Sequence, residues 1–311
     1  MTTVLVTGAG GFIGSALCTN LSLRGNRVIG IVRKKTFSGH AICINDIVGF
    51  ADWPKVLEGV EVVVHLAGRA HILKDQTLDP LEDFRRVNTR ATISLAENAA
   101  AAGVKRFIFI SSIGVNGGVT HDKPFSVDDI PRPHSPYAYS KYEAELALQD
   151  ISYRTGIEIV VIRPPLVYGP NAPGNFRSLM RWLASGVPLP LGAITRNLRS
   201  FVGLDNLVDL ISVCVDHPSA HKQVLMVSDG EDISTAELLR RLGSMMEKPA
   251  RLITIPVSWL AFGAKLLGKR EMFQSLCSSL QVDISNTCTL LNWKPPVSVE
   301  EGLRRAVQQR L

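Results

Sequence analysis

The sequence predicts an α/β protein, a doubly wound parallel sheet followed by a smaller lobe. Three observations carry this. The chain opens with the apolar run Val4-Leu5-Val6, followed by Gly8, Gly11 and Gly14. Short apolar runs then alternate with helix-length segments as far as Ile162, the pattern of strand–helix crossovers in a parallel sheet. After Pro164 the texture changes, with Pro, Gly and Asn frequent up to Asn197.

The elements follow in order. Residues 4–6 suit a buried parallel strand. Ile13, Ala16, Leu17 and Leu21 mark one face of a helix, and Gly25 stops it. Between strand and helix, Gly8 permits the tight turn, Gly11 admits a pyrophosphate, and Gly14 lets helix and strand pack closely. The helix N-terminus faces the negative charge. Residues 28–32 form the next strand. Further strands are expected at 41–44, 62–66, 107–110 and 158–162, and helices at 81–102 and 136–156. Residues 1–168 are expected to form the dinucleotide-binding domain, a Rossmann sheet. Residues 169–311 form mainly a substrate-binding lobe that closes over the cofactor, with the chain near 201–225 returning to the sheet. Ligands in such sheets lie at the carboxyl ends of the strands, where Gly8, His65, Ser112 and Ile162 would converge.

Composition narrows the class. With 311 residues, 46% apolar and 20% charged, the chain is long enough for a large core and one or two domains. It enters a strand almost at once, so no signal peptide is expected. The apolar stretch 253–268 contains Pro256, Ser258 and Lys265. It is too short and too interrupted to span a bilayer and reads as a core or interfacial helix. Cys18, Cys43, Cys214, Cys277 and Cys288 form no Cys-x-x-Cys pair, so neither a disulfide framework nor a zinc site is indicated. A reducing cytoplasm fits. His65 and His71 are too isolated to propose as metal ligands. The net charge of +6 is spread along the chain, which argues against nucleic-acid binding and suits an anionic diphosphate substrate.

The chemistry concentrates in Tyr137-Ala138-Tyr139-Ser140-Lys141, with Ser112 earlier in the chain. Tyr137 and Lys141, four apart on a helix, share one face. An ammonium beside a phenol stabilises the phenolate and lowers its pKa from about 10. Tyr137 is thus a candidate acid/base near neutral pH. At the end of the second strand the chain reads Val32-Arg33-Lys34-Lys35. Folds that take NAD usually place an acidic residue there. Here there are cations instead, and guanidinium suits a phosphate dianion. NADP(H) is therefore expected in preference to NAD(H).

With these residues in view, the chain resembles the extended short-chain dehydrogenase/reductases of the nucleotide-sugar epimerase/dehydratase group. The resemblance spans nearly the whole chain. It includes Thr7 to Gly14, His65-Leu66-Ala67-Gly68, Val87-Asn88-Thr89, Ser111-Ser112, Tyr137 with Lys141, Arg163 to Pro170, Arg199 to Val202, Trp293-Lys294-Pro295 and Glu301-Gly302-Leu303. It implies that Tyr137 exchanges a proton with a sugar oxygen while hydride moves to or from the nicotinamide. Lys141 would hold the nicotinamide ribose, and Ser112 would align the same oxygen. The implied cofactor pocket also contains Gly8, Gly11, Phe12, Ile13, Gly14, Arg33, Asp46, Ile47, Leu66, Ala67, Gly68, Asn88 and Pro164. Arg199, with Asn175 and Arg270, would bind the substrate, a UDP-sugar or other nucleotide-sugar. Relatives pair two long helices per subunit into a four-helix bundle, here 81–102 and 136–156, which implies a homodimer.

Departures from the group narrow the reaction. The 4,6-dehydratases carry an Asp-Glu pair where this chain has Ile113-Gly114. Reductases that also epimerise at two carbons place a cysteine where Ile113 stands. What remains needs only Ser, Tyr and Lys. The resemblance is nearest to small bacterial UDP-4-keto-sugar 4-reductases. The reading it favours is NADPH-dependent reduction at C4 of a nucleotide-linked 4-keto-6-deoxy hexose, in surface polysaccharide synthesis. The alternative is a UDP-hexose 4-epimerase acting on UDP-glucose or UDP-N-acetylglucosamine. A third reading, a nonenzymatic NAD(P)-binding regulator, is opposed by the intact Ser112, Tyr137 and Lys141.

Overall fold

The computed structural model describes residues 1–34, 40–69, 79–268 and 270–308, without the side chains of 270–272. The first half runs β1 (Thr3–Thr7), α1 (Phe12–Leu23), β2 (Arg27–Val32), β3 (Ala41–Cys43), α2 (Trp53–Val56) and β4 (Val62–His65). Then come α3 (Pro80–Phe84), a π-helical segment (Arg85–Arg90), α4 (Ala91–Ala101), β5 (Arg106–Ile110), α5 (Pro136–Thr155) and β6 (Glu158–Arg163). The second half holds β7 (Leu166–Tyr168), α6 (Gly174–Ser185), β8 (Phe201–Gly203), α7 (Leu204–Asp216) and β9 (Gln223–Met226). It ends with α8 (Thr235–Met245), α9 (Val257–Leu266), α10 (Arg270–Cys277), α11 (Ser285–Leu291) and α12 (Val299–Gln308).

Seven strands form one parallel sheet in the order β3-β2-β1-β4-β5-β6-β9. The predicted doubly wound α/β fold is thus present. Alternation along each strand divides the core. Val4, Val6, Ile108, Ile110, Val160 and Ile162 face α1 and α7. Leu5, Phe107, Phe109, Ile159 and Val161 face α4 and α5. Both faces are covered, which is why the strands read as continuous apolar runs. β7 and β8 form a separate parallel pair. Tyr168, Phe201 and apolar residues of α6, α8 and α12 make a third core. The strand order reverses between β1 and β4, so a crevice opens at their carboxyl ends.

Two expectations about elements need correction. The predicted helix 81–102 is not continuous, because a wide π-helical turn separates α3 from α4. Such turns often mark functional sites, and this one contains buried Asn88. The strand expected at 41–44 is shorter, ending at Cys43. The predicted helix 136–156 is α5 almost to the residue. Ser135 caps it by accepting from Ala138 N at 3.2 Å, Pro136 sits in its first turn, and Gly156 ends it in the left-handed region at φ +82°.

The turn after β1 depends on its glycines. Gly8 has φ +70°, and a Cβ on Gly14 would lie 2.1 Å from Gly8 O and 2.8 Å from Ala9 Cα. Both obstacles are backbone, so α1 could not keep its place. Gly14→Ala should lower stability by about 1–3 kcal/mol, read as a shifted urea midpoint with unchanged slope. An unshifted midpoint would show that the loop accommodates the methyl group.

Candidate active site

The glycine turn and α1 approach the chain that follows β4. Gly8's missing Cβ would lie 3.0 Å from Ala67 N, and Thr7 Oγ1 accepts from the same amide at 3.1 Å. The open backbone at Gly8, Gly11 and Gly14, with the N-terminus of α1 behind it, fits a dinucleotide pyrophosphate. Ala67 and Gly68 line the other side of that turn.

His65 locks the two sides together. It is fully buried, with Nδ1 2.7 Å from Thr7 Oγ1 and Nε2 2.9 Å from Thr92 Oγ1. Thr92 Oγ1 donates to Asn88 O at 2.7 Å, which leaves it free to accept from His65 Nε2–H. Thr7 Oγ1–H then donates to Nδ1. One neutral tautomer satisfies the whole chain of bonds. Burial, assisted by the Lys141 charge, pushes the His65 pKa down to about 3. His65 thus has a structural role that the sequence did not disclose. His71 lies outside the described residues.

Asn88 extends the lock. Its Oδ1 accepts from Arg69 N at 2.7 Å, and its Nδ2 donates to Arg69 O and Ser140 Oγ, both at 3.0 Å. A Cβ on Gly68 would lie 3.1 Å from Asn88 Oδ1 and 3.5 Å from Lys141 Nζ. Gly68, Asn88 and Lys141 therefore meet at one point. Lys141 Nζ donates to Ile110 O at 2.8 Å and lies 4.4 Å from the centre of the Phe109 ring. Ile110 precedes Ser111 and Ser112, so Lys141 lies against the end of β5 that carries Ser112. Ser112 Oγ accepts from Gly114 N at 3.1 Å in the short 3₁₀ turn that follows. Pro164 closes this corner, its carbonyl accepting from Ile113 N at 2.9 Å.

Tyr137 stands one turn before Lys141, its ring edge-on to Phe84 with centroids 5.9 Å apart. Here the electrostatics depart from expectation. Burial pushes the Tyr137 pKa up to about 12 rather than down, and pushes Lys141 down to about 8 against the pull of Glu145. The cause is desolvation of both groups. Shared helical spacing correctly suggested one face. It did not show that the ammonium bonds a backbone carbonyl.

Below Ser112 lies a buried network absent from the sequence reading. Glu145, on the inner face of α5, accepts from Ser111 Oγ at 2.5 Å and from Arg163 Nε at 3.0 Å and Nη2 at 2.5 Å. Arg163 Nη1 donates to Asn116 Oδ1 at 2.9 Å. The signal available was a carboxylate four residues after Lys141, in register with Ala138, Lys141, Ala144 and Leu148. His134 was also missed. It is exposed and its Nδ1–H donates to Gly114 O at 3.2 Å.

Other residues named from the sequence lie apart from this cluster. Arg33 and Lys34 are exposed at the end of β2, and Asp46 is exposed after β3 with its Oδ1 accepting from Val48 N at 3.1 Å. Ile47 packs at the edge of the α2 side of the core. Phe12, at the start of α1, packs against the third core, while Ile13 and Leu66 pack against the first. Asn175 is exposed in the first turn of α6. Arg199 Nη1 donates to Ser278 O at 2.9 Å, and burial holds its pKa below the usual guanidinium value. The side chain of Arg270 lies outside the described residues.

A family model described as the NAD dependent epimerase/dehydratase family matches residues 4–228. The chain belongs to this family. It is 43% identical to a UDP-glucose 4-epimerase of Vibrio cholerae over 98% of this chain and 94% of that protein. Among solved structures it is similar to the UDP-glucuronic acid 4-epimerase of Bacillus cereus in complex with NAD. That likeness has TM-score 0.80 and 25% identity, over 99% of this chain and 96% of the other. A UDP-glucose 4-epimerase of Thermotoga maritima with UDP-glucose gives TM-score 0.81 at 22% identity, over 99% and 98%, a likeness of fold.

These findings overturn the expected reductase. The family member most informative here, the Vibrio cholerae protein, is an epimerase, and the family neighbours give no support to a closer tie with 4-keto-sugar reductases. The physical reason is that a Ser, Tyr and Lys set of this kind would suit either reaction. The choice of reductase had rested on Arg33, which concerns the cofactor. Among the described residues no group of side chains could hold a metal, and no helix is long and apolar enough to cross a membrane.

The buried His65 makes a testable statement about acid stability. Its folded pKa of about 3 lies below the ordinary 6.5, so the native state favours the neutral ring. That contribution is complete above about pH 6.5 and is lost as pH falls toward about 3. Unfolding free energy should therefore fall by up to about 1.4 kcal/mol per pH unit through this window from His65 alone. His65→Asn should show a shallower slope in urea titrations at each pH. An unchanged slope would contradict the assignment.

Proposed function

We propose that the protein is a 4-epimerase of a UDP-linked hexose, interconverting a glucose-type and a galactose-type sugar, plain or N-acetylated. The observation that carries this is its 43% identity with the Vibrio cholerae UDP-glucose 4-epimerase over 98% of the chain. Supporting it, Ser112, Tyr137 and Lys141 are all present at the crevice, and Ile113-Gly114 supplies no carboxylate for water elimination.

A bound nicotinamide dinucleotide would supply reversible hydride exchange at C4. The protein's own part is proton transfer and positioning. Tyr137 removes the proton of the C4 hydroxyl and returns one to the C4 oxygen once the sugar has presented its other face. Ser112 holds that oxygen by hydrogen bonding. Because burial raises the Tyr137 pKa to about 12, forming its phenolate needs a nearby positive charge, and Lys141 supplies it from the same helix face. Arg199 spends a hydrogen bond on a neutral carbonyl, which leaves its charge for the substrate diphosphate, and Asn175 and Arg270 are further candidate substrate ligands. Residues 169–311, apart from a return near 201–225, act mainly as that substrate lobe. α5 and the helices before it serve as the face of a homodimer.

Incubated with UDP-galactose or UDP-N-acetylgalactosamine and no added reductant, the protein should form the glucose-type epimer. Tyr137→Phe should lower turnover by about 10²–10⁴-fold while keeping nucleotide binding. Turnover should also fall above about pH 8, as Lys141 loses its proton. Absence of interconversion with either sugar would overturn the reading, and so would a Tyr137→Phe variant with most of its activity.

The cofactor is a separate question. Arg33 and Lys34, exposed at the end of β2, support NADP(H), since a guanidinium matches a ribose phosphate. Lys35 lies outside the described residues. Arg33→Asp should weaken NADP(H) through lost charge-assisted bonds, each worth about 1.5–3 kcal/mol, and spare NAD(H). Calorimetric titration with each nucleotide decides it. Equal affinities, unmoved by the substitution, would remove the preference.

A further inference from the structure

Among the described residues, one apolar helix leaves most of its large side chains uncovered. α9 has no buried residue among the ten it contains, although its composition is strongly apolar. Trp259 is 73% exposed, Phe262 65% and Leu266 71%. Their i, i+3, i+7 spacing places them on one face. Leu260, on another face, packs partly against the third core and fixes the helix to the lobe. Leu267, Ile253 and Val257, at the two ends of the helix, are exposed as well. Strand-like bonds from Leu189 N to Arg251 O and from Ile253 N to Leu189 O join it to the segment carrying exposed Val187. Scattered apolar residues on a surface need no explanation, but three large apolar side chains exposed on one face of a helix suit an interaction site.

The charges around the patch identify the partner. Lys248, Arg251 and Lys265 are exposed on the same stretch of chain, against a single exposed acid, Glu247. Arg177 and Arg181 are exposed on α6, whose end Lys248 reaches by donating to Ala184 O at 3.2 Å. A second copy would meet this surface through a two-fold axis, setting like charges against one another. An anionic bilayer surface offers the opposite arrangement. Tryptophan, phenylalanine and leucine enter the headgroup boundary, and lysine and arginine meet the lipid phosphates. No helix among the described residues is long and apolar enough to cross the membrane, so the helix would lie in the interface plane.

We propose that the exposed face of α9, with Lys248, Arg251 and Lys265, docks the protein on an anionic phospholipid bilayer. The docking element is continuous with the Arg199 site, because α10 follows α9 and leads into Ser278, whose carbonyl holds the Arg199 guanidinium. Docking would therefore bring the Arg199 end of the lobe to the membrane surface.

The test uses the full chain and sucrose-loaded vesicles, either phosphatidylcholine alone or phosphatidylcholine mixed with phosphatidylglycerol. The protein should sediment with the mixed vesicles, and its tryptophan emission should shift to the blue. The double variant Trp259→Ser, Phe262→Ser should bind at least about tenfold more weakly with its thermal midpoint unchanged, since both side chains are exposed. Lys248→Glu with Arg251→Glu should weaken binding to the mixed vesicles by about fivefold per residue, and added salt should mimic it. The proposal is overturned if the unmodified protein neither sediments nor shifts its emission. It is also overturned if the apolar variant binds equally well. A concentration-dependent dimer abolished by Trp259→Ser would assign the face to a second copy instead, and would likewise overturn it.

Discussion

The arrangement of the crevice depends on one buried ion pair. Arg163 ends β6 and Glu145 lies inside α5, both nearly inaccessible to solvent. Two charges removed from water stabilise a fold only when their geometry is good and their remaining hydrogen-bonding positions are filled. Here they are filled. Glu145 accepts from both Arg163 nitrogens and from Ser111, and Arg163 also reaches Asn116. The pair thus ties together the ends of β5 and β6, the 3₁₀ turn after Ser112, and the helix that carries Tyr137 and Lys141. Removing one member would leave an uncompensated charge, a loss of about 3–5 kcal/mol. Ser112 and Pro164 flank the network, Pro164 O accepting from Ile113 N in the turn that follows Ser112.

His65 performs the same service on the other side. Its neutral ring joins β1 through Thr7 and α4 through Thr92, and Thr92 in turn holds Asn88 O. The π-helical turn is where these demands meet. Asn88 must bond the backbone of Arg69 on one side and Ser140 on the other, and a wide turn gives its side chain that position. Two polar locks, one charged and one neutral, therefore hold Lys141 between them. The resulting desolvation explains why Lys141 is lowered and Tyr137 raised.

Much of this was legible in the sequence, for reasons that can be named. The sheet was legible because both its faces are buried, so each strand is a plain apolar run. α5 was legible from its serine cap, proline and terminal glycine. Gly8 and Gly14 were legible because the positive φ at Gly8, and the 2.1 Å at which a Cβ on Gly14 would meet Gly8 O, admit no side chain. The Glu145–Arg163 pair was not, because its members lie on different elements and nothing local in either segment indicates the other. The interruption of the helix 81–102 was hidden for a related reason. Residues 85–90 have no helix breaker, and the π turn is set by tertiary bonds to Asn88. The direction of the Tyr137 shift was misread because spacing gives a shared face but says nothing of the carbonyl that the ammonium prefers.

The misassigned reaction has a spatial cause. Arg33 stands at the end of β2, the strand beyond β1 on one side of the crevice, while Ser112, Lys141 and Pro164 gather at β5 and β6 on the other. A dinucleotide spans that distance with its adenosine at one end and its nicotinamide at the other. On the proposed reading, residues at β2 would bear on the choice of cofactor, and residues at β5 and α5 on the substrate's proton. Inferring a consumed reductant from a cation at the adenosine end therefore carried information across the molecule that the chemistry does not transmit. Whether the cofactor is exchanged or retained depends on how the whole nucleotide is held, and whether one or both faces of C4 are used depends on the freedom of the sugar beside Ser112 and Tyr137. The same three side chains suit either reaction, so they do not by themselves separate an epimerase from a reductase.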